Sequence, residues 1–295
     1  MSSADEHAAS IGPTALRVQL GAHLRRLRES KGVSRETAGW EIRSSESKIS
    51  RMELGRVSFK ERDVADLLTL YGVEGDERVA LVSLARRANS PGWWQEFGDI
   101  LPSWFQSYLG LEEAASLIRT YEVQFVPGLL QTADYARAVI RLGHARASHV
   151  EIDRRIRLRQ GRQELLDRPR PPHLWAVLDE AVLRRPIGGL AVMRAQLTAL
   201  IAAAEHPNVR LQIISFRSGG HAAAGGPFSI LRFPEPDLPD VVYVEQLTSS
   251  LYLDKRGDVD HYAAAMDQLC IEAEPPDETA NFLEKALYEI GRPER

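Results

Sequence analysis

The chain has 295 residues, of which 44% are hydrophobic and 26% are charged, as in an ordinary soluble globular protein. This length predicts roughly two domains of about 150 residues each. The single cysteine, Cys270, excludes an internal disulfide framework. No apolar run approaches the ~20 residues of a membrane span. Because a signal-peptide pattern is also lacking, we expect a cytoplasmic protein without membrane contact.

The charges are distributed unevenly along the chain. Residues 16–62 hold twelve Lys and Arg against six Asp and Glu, whereas the rest of the chain holds 25 against 35. A basic N-terminal segment on an acidic body indicates a polyanionic partner for that segment alone. Charge by itself does not show whether this segment binds nucleic acid or simply has a basic helix surface in contact with solvent.

Five helices are predicted in the N-terminal part, after a small, polar tail at residues 1–15 that we expect to be disordered. Apolar residues at helical spacing mark the first helix, and Ser34 is a good N-cap for the second. Ser44 or Ser45 caps the third, which stops at Gly55. The helices are expected at 16–30, 35–42, 44–54, 60–71 and 76–87, in an all-α domain of residues 16–88.

An aromatic segment follows, with Trp93, Trp94 and Trp104 close together. We interpret residues 89–103 as a packing junction between two domains rather than as an aromatic binding site.

Residues 104–290 predict an α+β domain with a mostly antiparallel sheet. A short strand at RTYEVQF precedes a helix from about Thr132 to Leu142, and a long basic helix covers residues 148–166. Beyond the stiff linker 167–172, β-branched and aromatic residues indicate further strands. These are HLWAVLD, VRLQIISF, FSILRF and VVYVEQL, and the remaining helices are expected at 191–205, 258–273 and 277–290.

The second and third predicted helices are only a few residues apart, a spacing that makes a helix-turn-helix. The second helix of such a motif can lie in the major groove of DNA while the first crosses the backbone. Ile49 and Met52 would face inward, so the opposite face presents residue types that read base edges. Basic residues that flank this helix suit phosphates. The helix-face candidates are Ser45, Glu46, Ser47, Lys48, Ser50 and Arg51, and the phosphate candidates are Arg43, Arg56 and Lys60.

The run LGAHLRRLRESKGVSRETAG…SSESKISRMELGR, continued by FKERDVADLLTLYGV, resembles the XRE-type, lambda-repressor-like helix-turn-helix. Farther on, GWWQEF…LPSWFQSYLGLEEAA, VPGLLQTADYARA, LWAVLDEAVLRRP and GGPFSILRFP…VVYVE…LYLD resemble an actinobacterial group of regulators. In that group an XRE domain precedes a long C-terminal domain of uncharacterised function. Some members are described as antitoxin-like, and small companion proteins are associated with the group.

The resemblance implies a lambda-repressor-like domain on double-stranded DNA, with Arg35 at a phosphate or at the edge of the site. It also implies a buried ion pair between Arg28 and Glu53. Two positions depart from the family. Gly39 replaces the usual alanine, at a cost of about 1 kcal/mol in helix propensity. Arg43 stands where the turn often has glycine, and a positive φ there would be strained.

One helix-turn-helix reads only a few base pairs, so we expect a homodimer whose C-terminal domain holds the dimer contact. Two further roles of this domain remain open. It could sense a small-molecule effector, or it could dock a small companion protein through the basic helix 148–166 and the acidic C-terminal helices. The candidate ligand-pocket residues are Trp175, Phe216, His221, Phe228 and Tyr243, with His221 in a glycine-rich loop at 217–227.

Catalysis is not expected from the sequence. The histidines do not pair at metal-ligand spacing, and neither G-x-S-x-G, an activated cysteine nor a phosphate-binding glycine motif occurs. We therefore expect a DNA-binding transcriptional regulator with no catalytic residues, metal or cofactor. The alternative is an antitoxin-like protein that neutralises a small protein partner and autoregulates its operon.

Overall fold

The computed structural model describes residues 12–234 and 238–290. Within that part of the chain there are two compact units. The first holds residues 12–98, 102–114, 233, 234 and 238, and the second holds residues 99–101, 115–232 and 239–290. No helix in the described part of the chain is long and apolar enough to cross a membrane.

Six helices build the first unit, and five of them match the five that the sequence predicts. Polar N-caps explain two of the starts, because Ser34 Oγ accepts from Thr37 N and Ser45 Oγ accepts from Lys48 N. Gly55 ends the third helix with a φ of 63°, a conformation that glycine adopts without strain. The helices are α1 Pro13–Ser30, α2 Arg35–Glu41, α3 Glu46–Glu53, α4 Glu61–Leu70, α5 Gly75–Ala88 and α6 Ser103–Ala114.

The sixth helix, α6, belongs to the first unit, although the sequence analysis began the second domain at residue 104. It packs against α1, where a Cβ on Gly110 would overlap the side chain of Thr14. The aromatic segment forms a 3-10 turn, Trp93–Phe97, whose Trp94 and Phe97 side chains are buried. These two rings are therefore packed in the first unit, while the predicted role of residues 89–103 as a junction between two domains stays a prediction.

The second unit is α+β, with a six-stranded sheet and helices. Its strands are β1 Leu117–Glu122, β2 His173–Asp179, β3 Val209–Ile214, β4 Phe228–Arg232, β5 Val241–Glu245 and β6 Ser250–Leu253. Its helices are α7 Ala133–Gly143, α8 His149–Gln163, α9 Glu180–Arg184, α10 Leu190–Ala204, α11 Arg256–Glu272 and α12 Thr279–Glu289.

The sheet has the strand order β3-β2-β1-β4-β5-β6 and is mixed. Antiparallel pairs join β1 to β4, β4 to β5 and β5 to β6, so most pairings are antiparallel, as predicted. The parallel pairs of β2 with β1 and β3 were not foreseen. They follow from the helices that separate these strands in sequence, since a parallel pair needs a crossover connection.

Each face of the sheet carries its own apolar core. On one face, Leu178 and Ile213 pack with Leu197 of α10 and Leu283 of α12. On the other, Val177 packs with neighbours that include Met266 and Leu269 of α11. Successive side chains of a strand point to opposite faces, so Val177 and Leu178 belong to different cores.

Candidate nucleic-acid interface

Helix α3 is held with one face inward and the other in solvent. Ile49 and Met52 are each 1% exposed and lie in the core of the first unit. The opposite side of the helix is polar. Ser45, Glu46, Ser47 and Arg51 are exposed, and Lys48 and Ser50 are partly exposed. Their chemistry is that of base-edge and phosphate recognition, and a helix of this size fits a major groove.

A carboxylate shared by two arginines fixes the C-terminal end of α3. Arg28 Nε lies 2.5 Å from Glu53 Oε1, and Arg28 Nη2 lies 3.2 Å from Oε2. Arg28 also donates to the carbonyl oxygen of Val33, at 2.9 Å. The hydrogen bond to Glu53 raises the pKa of Arg28, against the opposing effect of burial. The two residues that the family resemblance pairs therefore do pair, and they tie α1 to α3.

Arg35, expected at a DNA phosphate or at the edge of the site, binds the same carboxylate. Its Nε donates to Glu53 Oε2 at 2.9 Å, so α2 is also fastened to the end of α3. Lys48 is similarly engaged, since its Nζ lies 2.5 Å from Asp63 Oδ2 on α4. Two cations assigned to DNA thus hold the helices together in this structure. The Lys48–Asp63 pair could not be predicted from the sequence, because the two residues lie on different helices.

The turn between α2 and α3 requires a glycine at position 39 and puts Arg43 in a strained conformation. A Cβ on Gly39 would lie 2.9 Å from the carbonyl oxygen of Ser44, which is too close, so only glycine fits there. Arg43 has a φ of 52°, the only positive value among the described non-glycine residues. Its exposed side chain makes no ion pair within the described chain. Arg43 is therefore strained in its backbone and available to a phosphate.

The other candidates for phosphate contact lie just beyond α3. Arg56 is exposed after the end of this helix, and Lys60 is exposed at the N-cap position of α4. Ser45 also has a structural role, because its Oγ caps α3.

One exposed aromatic residue, Trp40 of α2, was not predicted from the sequence. Its surface is 78% exposed, and no apolar pattern in the neighbouring sequence indicated this exposure.

The five residues proposed for a ligand pocket do not converge. His221 and Phe228 both meet Tyr121 of β1, with His221 Nε2 2.8 Å from the Tyr121 hydroxyl. Tyr243 lies on the opposite face of the sheet, because its register partner Ser229 is the strand neighbour of Phe228. Phe216 is 59% exposed in a 3-10 turn after β3.

Trp175, the fifth, is enclosed by two cations. The guanidinium carbons of Arg119 and Arg210 lie 5.1 and 4.8 Å from its ring centroid. Its Nε1 donates to Gln212 Oε1 at 2.8 Å. These are cation–π and hydrogen-bond contacts inside the unit, which leave Trp175 a structural role.

Most arginines of the basic helix α8 have partners inside the second unit. Arg154 makes a two-point contact with Asp99, at 2.5 and 2.7 Å. Arg155 pairs with Glu151, and Arg159 donates to Gln131 Oε1 at 2.6 Å. Arg162 is 8% exposed. Since only Arg157 of this set is classed as exposed, α8 is not the open cationic surface that its composition suggests.

One carboxyl group of the second unit, that of Glu122, has a raised pKa. Burial raises the pKa of Glu122, at the end of β1, to about 8; the charge of Glu245 adds to this, while Arg159 and Arg162 oppose it. Within the described residues, no cluster of three or more His, Cys, Asp or Glu side chains could hold a metal ion.

Comparison with protein families gives two matches. The family described as "Domain of unknown function (DUF5753)" matches residues 105–285, more than half of the chain, and a family described as "Helix-turn-helix domain" matches residues 19–81. Neither the curated proteins nor the solved structures contain a significant match. The helix-turn-helix match contains α2, α3 and the turn between them.

Proposed function

Because the chain belongs to the DUF5753 family and carries a helix-turn-helix domain ahead of it, we propose that it is a transcriptional regulator that reads a short DNA operator. The observation that carries this proposal is the polar outer face of α3. Glu46, Ser47 and Arg51 are exposed there, while Ile49 and Met52 lock the other face into the core.

The base-reading role falls mainly on Arg51. Its Nε donates to the carbonyl oxygen of Ser47 at 3.3 Å, which leaves the two terminal nitrogens of the guanidinium for a guanine edge. Arg43 and Lys60 supply phosphate contacts, which fix position and add salt dependence rather than sequence preference. Arg35 and Lys48 contribute indirectly, by holding α3 through Glu53 and Asp63.

We assign the second unit to dimerisation and to regulation of operator affinity. A regulating signal has to bind two states of the protein unequally to do so. A small effector is one candidate signal, and Tyr121 and His221 near the carboxyl ends of parallel strands are the place to look for it. A small companion protein, as in the antitoxin-like alternative, is less well supported, because most of the α8 arginines already have partners.

The test compares Arg51→Ala with Arg25→Ala on a duplex recovered from a random DNA pool. Arg25 is an exposed arginine of α1 that pairs with Glu29 of the same helix, so its loss controls for net charge. We expect Arg51→Ala to lose about 1–3 kcal/mol of discrimination at one base pair but to retain salt-sensitive binding. Arg25→Ala should keep the wild-type preference. An unchanged preference in Arg51→Ala would refute the assignment of α3 to the groove.

A further inference from the structure

Helices α7 and α8 of the second unit form a hairpin with a basic composition. They are joined by a short turn, in which Ala147 N donates to the carbonyl oxygen of His144 at 3.0 Å, and apolar side chains of both helices pack together. Residues 133–157 hold six arginines against three Asp and Glu. Residues 239–290, by contrast, hold three Lys and Arg against twelve Asp and Glu. A polyanion that meets the second unit is therefore attracted to this hairpin rather than to the C-terminal helices.

Three of the six arginines are already paired with carboxylates of the second unit. The two carboxylates of α8, Glu151 and Asp153, are both used in these pairs. The other three arginines are exposed, and within the described residues their side chains make neither an ion pair nor a hydrogen bond; they are Arg141, Arg146 and Arg157. An unpaired guanidinium keeps all its N–H donors for an anion, and their planar fork matches the oxygens of a phosphate.

An ion pair between the two helices shows which side of the hairpin the unpaired arginines share. Arg137 of α7 lies 2.7 Å from Asp153 of α8. Arg141 follows Arg137 by four residues, and Arg157 follows Asp153 by four residues, so both lie on the same side as the pair. Because the helices run in opposite directions, these two arginines are roughly 12 Å apart along the hairpin, about the width of the major groove. Arg146 lies in the turn at the tip.

We propose that this side of the α7–α8 hairpin is a second DNA-binding surface, which contacts phosphates of the duplex whose bases α3 reads. The proposal rests on the proposed function, since that function supplies the duplex. DNA is favoured over an acidic protein because the chain already holds it through α3, so the second unit meets phosphates at a high effective concentration. Contacts of this kind add affinity and salt dependence but no sequence preference.

One exposed carboxylate lies on the same side of the hairpin. Asp134 precedes Arg137 by three residues, which puts it at the end remote from the tip and about level with Arg157. It makes no ion pair within the described residues. A phosphate bound by Arg157 is repelled by this charge, so Asp134→Asn should tighten DNA binding, whereas removal of an arginine should weaken it. Unchanged or weaker binding by Asp134→Asn would contradict a phosphate contact at this end of the hairpin.

The salt dependence of DNA binding by the full chain tests the proposal. Arg141→Ala/Arg157→Ala removes two phosphate contacts, so between about 50 and 200 mM salt it should lose roughly tenfold less affinity than wild type does. Its preference among sequences should be unchanged. The control, Arg217→Ala/Arg256→Ala, makes the same change in net charge at two exposed arginines outside the hairpin and should keep the wild-type salt dependence. Wild-type salt dependence in Arg141→Ala/Arg157→Ala would overturn the proposal and leave an acidic protein as the partner to seek.

Directed cleavage of DNA tests the position of the hairpin without relying on affinity. In a Cys270→Ser background, an iron–EDTA chelate attached to Arg146→Cys should cut the bound duplex, because the tip lies beside the phosphates. The same chelate on Arg217→Cys, in the turn after β3, is the control and should cut much less. Equal cutting from the two positions, or none from Arg146→Cys, would refute the proposal. Cutting by Arg146→Cys in a protein without sequence preference would refute the proposed function and leave the hairpin contact standing.

Discussion

At the scale of single residues, Glu53 is the most informative carboxylate of the first unit. The Glu53 side chain is 2% exposed and forms ion pairs with Arg28 and Arg35. The Arg28 side chain is 8% exposed and the Arg35 side chain is 34% exposed. Breaking a buried pair costs about 3–5 kcal/mol because it leaves a charge unpaired. Arg35 keeps Glu53 paired when Arg28 is removed. We therefore expect Arg28→Ala to lower the unfolding free energy by about 3 kcal/mol, near the lower end of this range. Arg35→Ala should cost less than about 1 kcal/mol.

Urea unfolding of the two variants, and of the double variant, measures these costs. The double variant should lose more than the sum of the singles, because it alone leaves Glu53 without either partner. If Arg28→Ala and Arg35→Ala lose the same unfolding free energy, the difference in burial between the two arginines does not determine how much each contact stabilises the protein.

Arg43 has a strained backbone at a position that we propose contacts a phosphate. With its φ of 52°, Arg43 occupies a region that costs a non-glycine residue roughly 1–2 kcal/mol. Arg43→Gly should relieve this strain and, after the entropic cost of glycine, raise the unfolding free energy by about 0.5–1 kcal/mol. The same change should weaken DNA binding and lower its salt dependence by about one phosphate contact. Ser44→Gly, next to it at an ordinary φ, should destabilise instead.

Glu122 should make stability depend on pH. Its pKa in the folded protein, about 8, is above the ordinary value of 4.5. The folded state therefore binds this proton more tightly than the unfolded state does, and the resulting stability is present below pH 4.5 and lost as the pH rises to about 8. The slope from this group is at most about 1.4 kcal/mol per pH unit.

Glu122→Gln should flatten the decrease in unfolding free energy between pH 5 and 8. Glu164→Gln, at an exposed position after α8, serves as the control and should keep the wild-type profile. Parallel profiles for wild type and Glu122→Gln would show that this carboxyl group has the same pKa in the folded and the unfolded protein.

At the scale of elements, Ser45 caps α3 and is also one of the residues proposed to face DNA. Its Oγ accepts from Lys48 N at 3.2 Å, so Ser45→Ala should cost about 1 kcal/mol of stability. Ser45→Asn and Ser45→Asp both retain a capping oxygen and should stay close to wild type in stability. Only the aspartate should weaken DNA binding, by repelling phosphate. If asparagine and aspartate bind DNA equally, Ser45 lies outside the interface.

Local signals explain how far the elements could be predicted. Ser34, Ser45, Thr132 and Ser148 each cap a helix that the sequence places correctly, because a cap acts within three residues. The parallel strand pairs and the short strand β6 were missed, since strand pairing depends on distant segments. For the same reason the outward face of α3 could be predicted from spacing, whereas the contacts of Arg35 and Lys48 could not.

At the scale of the whole molecule, we proposed that helix α3 of the first unit reads DNA and that the second unit dimerises. The protein is then expected to recognise a DNA sequence with two-fold symmetry. The most direct measurement is selection of wild-type protein against a pool of random duplexes, followed by sequencing of the bound fraction. We predict enrichment of an inverted repeat whose half-sites are separated by one or a few turns of the double helix, about 34 Å each. A bound fraction with no enriched sequence would contradict sequence-specific binding by this protein.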